Sequence, residues 1–191
     1  MTLLQVMADT DAADLSLRTD DPALIGSELA KRHIVFNRWP TVHRLDAATP
    51  TNELLTCYED HIAELNADGR YKHIDLARLQ WDDSDPQWPD TAKAAREKFL
   101  SEHWHSEDEV RFFAAGRGSF YLHLEPEVVI VVCEAGDLIS IPAGTRHWFD
   151  TGTRPNFVAI RFFEEEKGWI GEFTGDHISE RFPTLDQLFM A

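Results

Sequence analysis

The chain has 191 residues, enough for one core of ordinary size, and its 43% hydrophobic and 27% charged residues match the mix of a folded globular protein, which excludes extended disorder. Eighteen Lys and Arg against 34 Asp and Glu leave a formal charge of -16, which repels phosphate backbones and anionic bilayers over about 8–10 Å. Nucleic acid and membrane surfaces are therefore not expected partners, and an anionic small molecule would need local positive charge from a metal or from inward-pointing arginines.

The opening segment, MTLLQVMADTDAADLSLRTDD, has no basic start, and acids break its apolar run, so it does not read as a secretory signal. No stretch reaches the roughly 18–20 apolar residues of a membrane span, and a cytoplasmic location is the expectation. Asp20 and Asp21 before Pro22 open a helix through ALIGSELAKRH. Thr51 opens a second, through NELLTCYEDHIAELNADG to Gly69, in which Leu54, Leu55, Tyr58, Ile62 and Leu65 form one apolar stripe suited to packing on a sheet. A third is expected over TAKAAREKFL, capped by Asp90 or Thr91 after the breaks at Pro86 and Pro89. Cys57 and Cys133 lack CxxC spacing and read as buried, inert thiols.

From His103 onward the character changes. EVRFFAAG, SFYLHLE, VVIVVC, DLISIP, HWFDTG and FVAIRFFEE are short, rich in β-branched and aromatic residues, and separated by Gly, Pro or acidic turns. Closely spaced strands of this kind imply a barrel or sandwich, so the fold class is mainly β with flanking helices. With no repeat, low-complexity tract or linker, the chain reads as one domain over 1–191. A strand and helices occupy about 1–100, the barrel core about 101–176 and a tail 177–191.

His103-Trp104-His105-Ser106-Glu107-Asp108-Glu109 sets two imidazoles on one face of an extended strand, with a carboxylate four residues on. A bend after His105 would bring Glu109 to the same ion. A fourth ligand, His147, follows the tight Pro142-Ala143-Gly144 turn at the start of another strand. Three imidazoles and one carboxylate, without thiolates, suit a divalent first-row metal such as iron, nickel or manganese rather than structural zinc.

Together, H-x-H-x3-E-x6-G at 103–116 and G-x5-P-x-G-x2-H at 136–147 resemble the two signature motifs of the cupin superfamily. Glu97 stands where cupins often have glycine and Thr151 where they often have asparagine; neither is a ligand. The surroundings, EHWHSEDEVRFFAAGRGSFYLH, DLISIPAGTRHWFDTG and FVAIRFFEEEKGWIGEFTG, resemble the acireductone dioxygenases of methionine salvage. The resemblance covers roughly residues 100–176 and implies a double-stranded β-helix (jelly-roll) barrel holding one Fe2+ or Ni2+ per chain on His103, His105, Glu109 and His147. It also implies an O2-dependent cleavage of 1,2-dihydroxy-3-keto-5-methylthiopentene. The products would be formate and 4-methylthio-2-oxobutanoate with iron, or formate, carbon monoxide and 3-methylthiopropionate with nickel.

Arg111, two residues beyond Glu109, shares its strand face and is the first choice for holding the substrate's negative charge, the alternative being an ion pair with one of the many nearby acids. Arg161 interrupts the apolar strand FVAIRFF, where a guanidinium serves either substrate or a structural ion pair. Phe149 and Trp169 are expected to wall the pocket and contact the methylthio tail, since aromatic rings pack well against thioethers. Glu102 and Asp108 each precede a ligand; the resemblance gives them auxiliary roles in metal loading and conformational relay, whereas strand parity turns them toward solvent. His123 reads as a core histidine or one that supports a ligand. No phosphate-cradling loop or dinucleotide fingerprint appears, so no organic cofactor is expected, and a monomer is the default. Two other readings stay open on sequence: a different metal-dependent cupin such as an isomerase, and a non-enzymatic cupin that binds a small ligand.

Overall fold

The computed structural model describes residues 1–41 and 49–190. Its strands are β1 (Leu3–Ala8), β2 (Asp11–Thr19), β3 (Val35–Arg38), β4 (His73–Gln80), β5 (His103–Trp104), β6 (Glu109–Leu124), β7 (Glu127–Glu134), β8 (Asp137–Ile141), β9 (Arg146–Asp150), β10 (Asn156–Phe163) and β11 (Glu172–Phe173). The helices are α1 (Pro22–Lys31), α2 (Thr51–Cys57), α3 (Glu59–Leu65) and α4 (Trp88–Glu97), and two 3-10 turns, Ile178–Arg181 and Gln187–Phe189, lie near the C-terminus. All eleven strands join one sheet. No helix among the described residues is long and apolar enough to cross a membrane.

The first hundred residues are less helical than their sequence suggests, because four of these strands lie there. β1 is buried along nearly its whole length between β2 and β7, polar Gln5 included, so it lacks the alternation that marks a half-exposed strand. β2 is an exposed edge whose polar residues conceal it. β4 pairs with β10 along its whole length and so lies beside the apolar stretch that sequence assigned to the barrel.

α1 begins as expected, with the Asp21 carboxylate accepting from the Leu24 amide at 2.9 Å. The single helix expected from Thr51 to Gly69 is two, broken at Tyr58, whose backbone turns to φ -117 and whose buried ring meets Phe112 edge-on at 4.8 Å. The third helix starts earlier than expected because Pro89 sits within its first turn rather than ahead of it, where a missing amide is tolerated. Cys133 is buried as expected, but Cys57 is exposed.

EVRFFAAG and SFYLHLE, expected as two strands, are one 16-residue strand, β6. Gly116 makes this possible: at φ +67 it sits where a Cβ would lie 1.7 Å from the Asn156 carbonyl oxygen. A register slip at Ala114, opposite the Val158–Ala159 step of β10, shifts the alternation, so Phe113 faces the central core before it and Phe120 and Leu122 face the same core after it. Both halves of β6 therefore line one interior. α2 and α3 cover one outer face through Leu54, Tyr58, Phe112 and Phe162, and the C-terminal segment covers another with Ile178, Phe182, Leu185 and Leu188.

Candidate active site

The four predicted ligands converge at one end of this interior. His103 on β5 pairs directly with His147 on β9, which sets the two rings 4.6 Å apart by centroid. The chain bends at Ser106 and Glu107, then enters β6 at Glu109, as the spacing required. The Pro142 turn is stitched to this bend: the Gly144 amide donates to the His105 carbonyl at 2.9 Å and the Ala143 amide to the Asp108 carboxylate at 2.9 Å. Ligand-capable atoms of His103, His105 and His147 all lie within 4.8 Å of one another. Glu109 Oε2 is 2.9 Å from His105 Nε2 and 3.8 Å from His147 Nε2.

The tautomers are set by the backbone. Nδ1 of His103, His105 and His147 lies 2.8, 3.0 and 2.8 Å from the carbonyls of Ser101, Ile170 and Thr145. A carbonyl only accepts, so each Nδ1 carries a proton and each Nε2 is the atom turned toward the centre. His147 is 2% exposed, and its Nε2 has no hydrogen-bond partner, a cost that a bound cation removes. Three such nitrogens and a carboxylate can hold a divalent first-row metal.

Electrostatics support the same geometry. Burial, reinforced by the neighbouring His147, pulls His103 down to about 4, so its ring stays neutral near physiological pH. Burial also lowers His105, but the Glu109 hydrogen bond and charge outweigh it and leave this ring's pKa raised. Glu109 is held well below the usual carboxylate range: burial opposes ionisation, but the Arg111 charge beside it and the His105 and His147 imidazoles that face it prevail.

Arg111 points inward as its position two residues from Glu109 predicted. Its guanidinium is 2.9 Å from Glu109 Oε1 and donates to the Val110 carbonyl at 2.9 Å. Arg161 lines the same cavity and donates to both oxygens of Asp75 at 2.7 and 2.6 Å. Phe149 lines the cavity, as does Trp169, which is 39% exposed at the mouth. The sequence reading missed Phe99, Phe113, Phe120, Phe157, Ala77 and Ala159. Phe113 was legible as the next inward position after Arg111, whereas Ala77 lies on the unrecognised β4.

Glu102 corrects the parity argument. It is 1% exposed rather than solvated; its carboxylate lies 2.5 Å from His123 Nδ1 and accepts from the Thr174 hydroxyl at 2.7 Å. It faces away from the imidazole cluster but under β11, which covers it. Asp108 is half-buried, accepting also from Arg70 at 3.0 Å, so it braces the Pro142 turn. The same covering segment brings Gly171 against His103, where a Cβ would stand 2.9 Å from Cδ2. Gly171→Ala is expected to tilt that ring and weaken metal affinity about 10- to 100-fold, the effect of disturbing a residue that orients a ligand. Metal titration of the variant checks this; parent-like affinity would contradict it.

A family model described as the ARD/ARD' family matches residues 22–171. Acireductone dioxygenase 2 of Nocardia farcinica is 64% identical over 191 residues, covering 100% of both chains. The chain belongs to the acireductone dioxygenase family. Acireductone dioxygenase 1 of the same organism is 50% identical over 188 residues, covering 98% of this chain and 99% of that one. A solved acireductone dioxygenase from Bacillus anthracis, with a cadmium ion in its active centre, superposes with a TM-score of 0.75 at 25% identity and covers 91% of this chain and 98% of its own. The expected cupin fold is thereby borne out, and the isomerase and non-enzymatic readings fall away. The protein is a metal-dependent dioxygenase of methionine salvage that acts on a small molecule and O2.

Proposed function

We propose that His103, His105, Glu109 and His147 hold one Fe2+ or Ni2+ and that Arg111, backed by Arg161, receives the acireductone. The observation that carries this is the common orientation of the three imidazoles: every Nδ1 is tied to a carbonyl, and the buried Nε2 of His147 is left without a partner. When bound, the ion supplies Lewis-acid charge that stabilises an ene-diolate and fixes its orientation. The metal loaded selects the products, the 2-oxo acid with iron and carbon monoxide with nickel. The chain is proposed to act as a single cupin unit, monomeric and cytoplasmic.

Charge balance favours this assignment. Glu109 contributes one negative charge and Arg111 one positive, so the protein alone is locally neutral, and a divalent ion matches an incoming dianion. Arg111 is buried, and a guanidinium in such surroundings acts on an anion more strongly than in water. It therefore orients the enediolate oxygens toward the Glu109 end of the cavity. The aromatic walls, Phe149 among them and Trp169 at the mouth, exclude water from a reactive, electron-rich substrate.

Replacing Arg111 by alanine tests the role. The expected result is full metal occupancy with kcat/KM for the acireductone lowered about 10²- to 10³-fold, the loss typical of removing one preorganised charge-stabilising donor. An unchanged kcat/KM would remove Arg111 from the reaction.

A further inference from the structure

We propose that Ala77 and Ala159 are the specificity-determining residues for the substrate's tail, a deeper statement of the dioxygenase reading and dependent on it. The three adjoining strands β4, β10 and β6 carry their inward side chains in rows fixed by register. Asp75, Arg161 and Arg111 form the first row, directly paired across the ladders. Ala77, Ala159 and Phe113 form the second, and Leu79, Phe157 and Gly116 the third. On β4 and β10 successive rows are two residues apart, about 6.6 Å along a strand. On β4 and β10 the inner wall thus passes from charged to small to large as it recedes from the arginines, while on β6 Phe113 flanks the small row.

That sequence of rows sets a depth. A substrate whose anionic head meets Arg111 lays its carbon chain along the second row, where two opposed methyl groups leave space that any larger side chain would fill. Phe149 completes the compartment, with its ring centroid 6.4 Å from Phe113 and 5.8 Å from Phe157. Leu79 and Phe157 then close the bottom. The compartment takes a short, unbranched, apolar tail such as methylthioethyl, because a branched or aromatic tail would meet the Phe113 and Phe157 rings. Ala159 is fully enclosed and Ala77 half-buried, so added bulk at Ala159 has nowhere to turn.

The test compares Ala159→Val and Ala77→Val with the parent, all reconstituted with iron(II). Valine suits a strand interior, so the exchange is compatible with the backbone. Two acireductones are assayed, one with the methylthioethyl tail and one with methyl in its place. Anaerobic binding of the 2-oxo acids with the same two tails, 4-methylthio-2-oxobutanoate and pyruvate, is measured by calorimetry. The expected result is a fall of about 10- to 100-fold in preference for the long tail, in both kcat/KM and dissociation constants, with metal content unchanged. Ala159→Gly, which opens the row, should shift preference toward an ethylthioethyl tail and serves if the valine variants do not fold. Preferences equal to the parent's, or equal losses for both tails, would overturn the assignment. A parent that turns over neither acireductone would instead sink the reaction reading, and the alanines are then judged on the two binding ratios.

Discussion

Replacing Glu109 by alanine is expected to remove metal binding and turnover together and to destabilise the metal-free chain as well. The carboxylate serves two neighbours: one oxygen faces His105 and His147, and the other faces Arg111 at 2.9 Å. Loss of the first oxygen deletes a proposed ligand, so metal affinity should fall beyond the 10- to 100-fold that follows when only a supporting residue is lost. Removal of the second leaves a buried guanidinium without its closest anion, and breaking a buried pair from one side costs about 3–5 kcal/mol. Glu109→Gln separates the two effects, because its amide oxygen still accepts from Arg111 while its charge is gone. The alanine variant should lose both metal and melting temperature, and the glutamine variant chiefly metal. Stoichiometric metal and an unchanged melting temperature in Glu109→Ala would contradict this reading of the residue.

A comparable loss of stability is expected far from the metal, at Asp150. This carboxylate is buried where α4, β9 and the C-terminal segment meet. It accepts from Arg96 Nε at 2.6 Å, from the Leu185 amide at 2.8 Å and from the Gly152 amide at 2.9 Å. Asp150→Ala strands Arg96 and two amides at once, so a loss of about 3–5 kcal/mol is expected. For a chain of this length that corresponds to roughly 6–20 °C in melting temperature. Burial alone would raise the Asp150 pKa, but the Arg96 hydrogen bond and the two amides outweigh it and hold it below the usual aspartate range. A depressed folded pKa stabilises the protein above the unfolded value of about 3.9, and that contribution disappears as pH falls through the folded value. The gap between parent and variant should therefore be widest near neutral pH and narrow in acid. A gap under about 1 kcal/mol at neutral pH, or one that widens in acid, would refute the account.

Much of the site was legible because its logic is local. Two histidines two apart, a carboxylate four further on and a Pro-x-Gly turn before a third histidine place all four side chains from short-range geometry. Arg111 followed from the alternation of one strand. The barrel's walls were less legible because they depend on pairing between distant segments. β4, with no clean alternation and a mixture of charged and small residues, gains its meaning only from β10 beside it, so Ala77 was not accessible to a reading of one sequence. The Gly116 irregularity posed the opposite problem: two glycines around Arg117 look like a turn, yet the close approach of Asn156 turns them into a kink within one strand. Glu102 escaped for a related reason. Alternation correctly turned it away from the imidazoles, but only the later segment around Thr174 converts that outward face into a buried one.

Anaerobic mixing of the iron(II)-reconstituted enzyme with the methylthio acireductone, followed by oxygen and product analysis against His147→Ala, tests the central claim most directly. The account predicts formate and 4-methylthio-2-oxobutanoate from the parent and neither above the non-enzymatic background from the variant. Equal product from both proteins, or none from a parent shown to hold its metal, would contradict it.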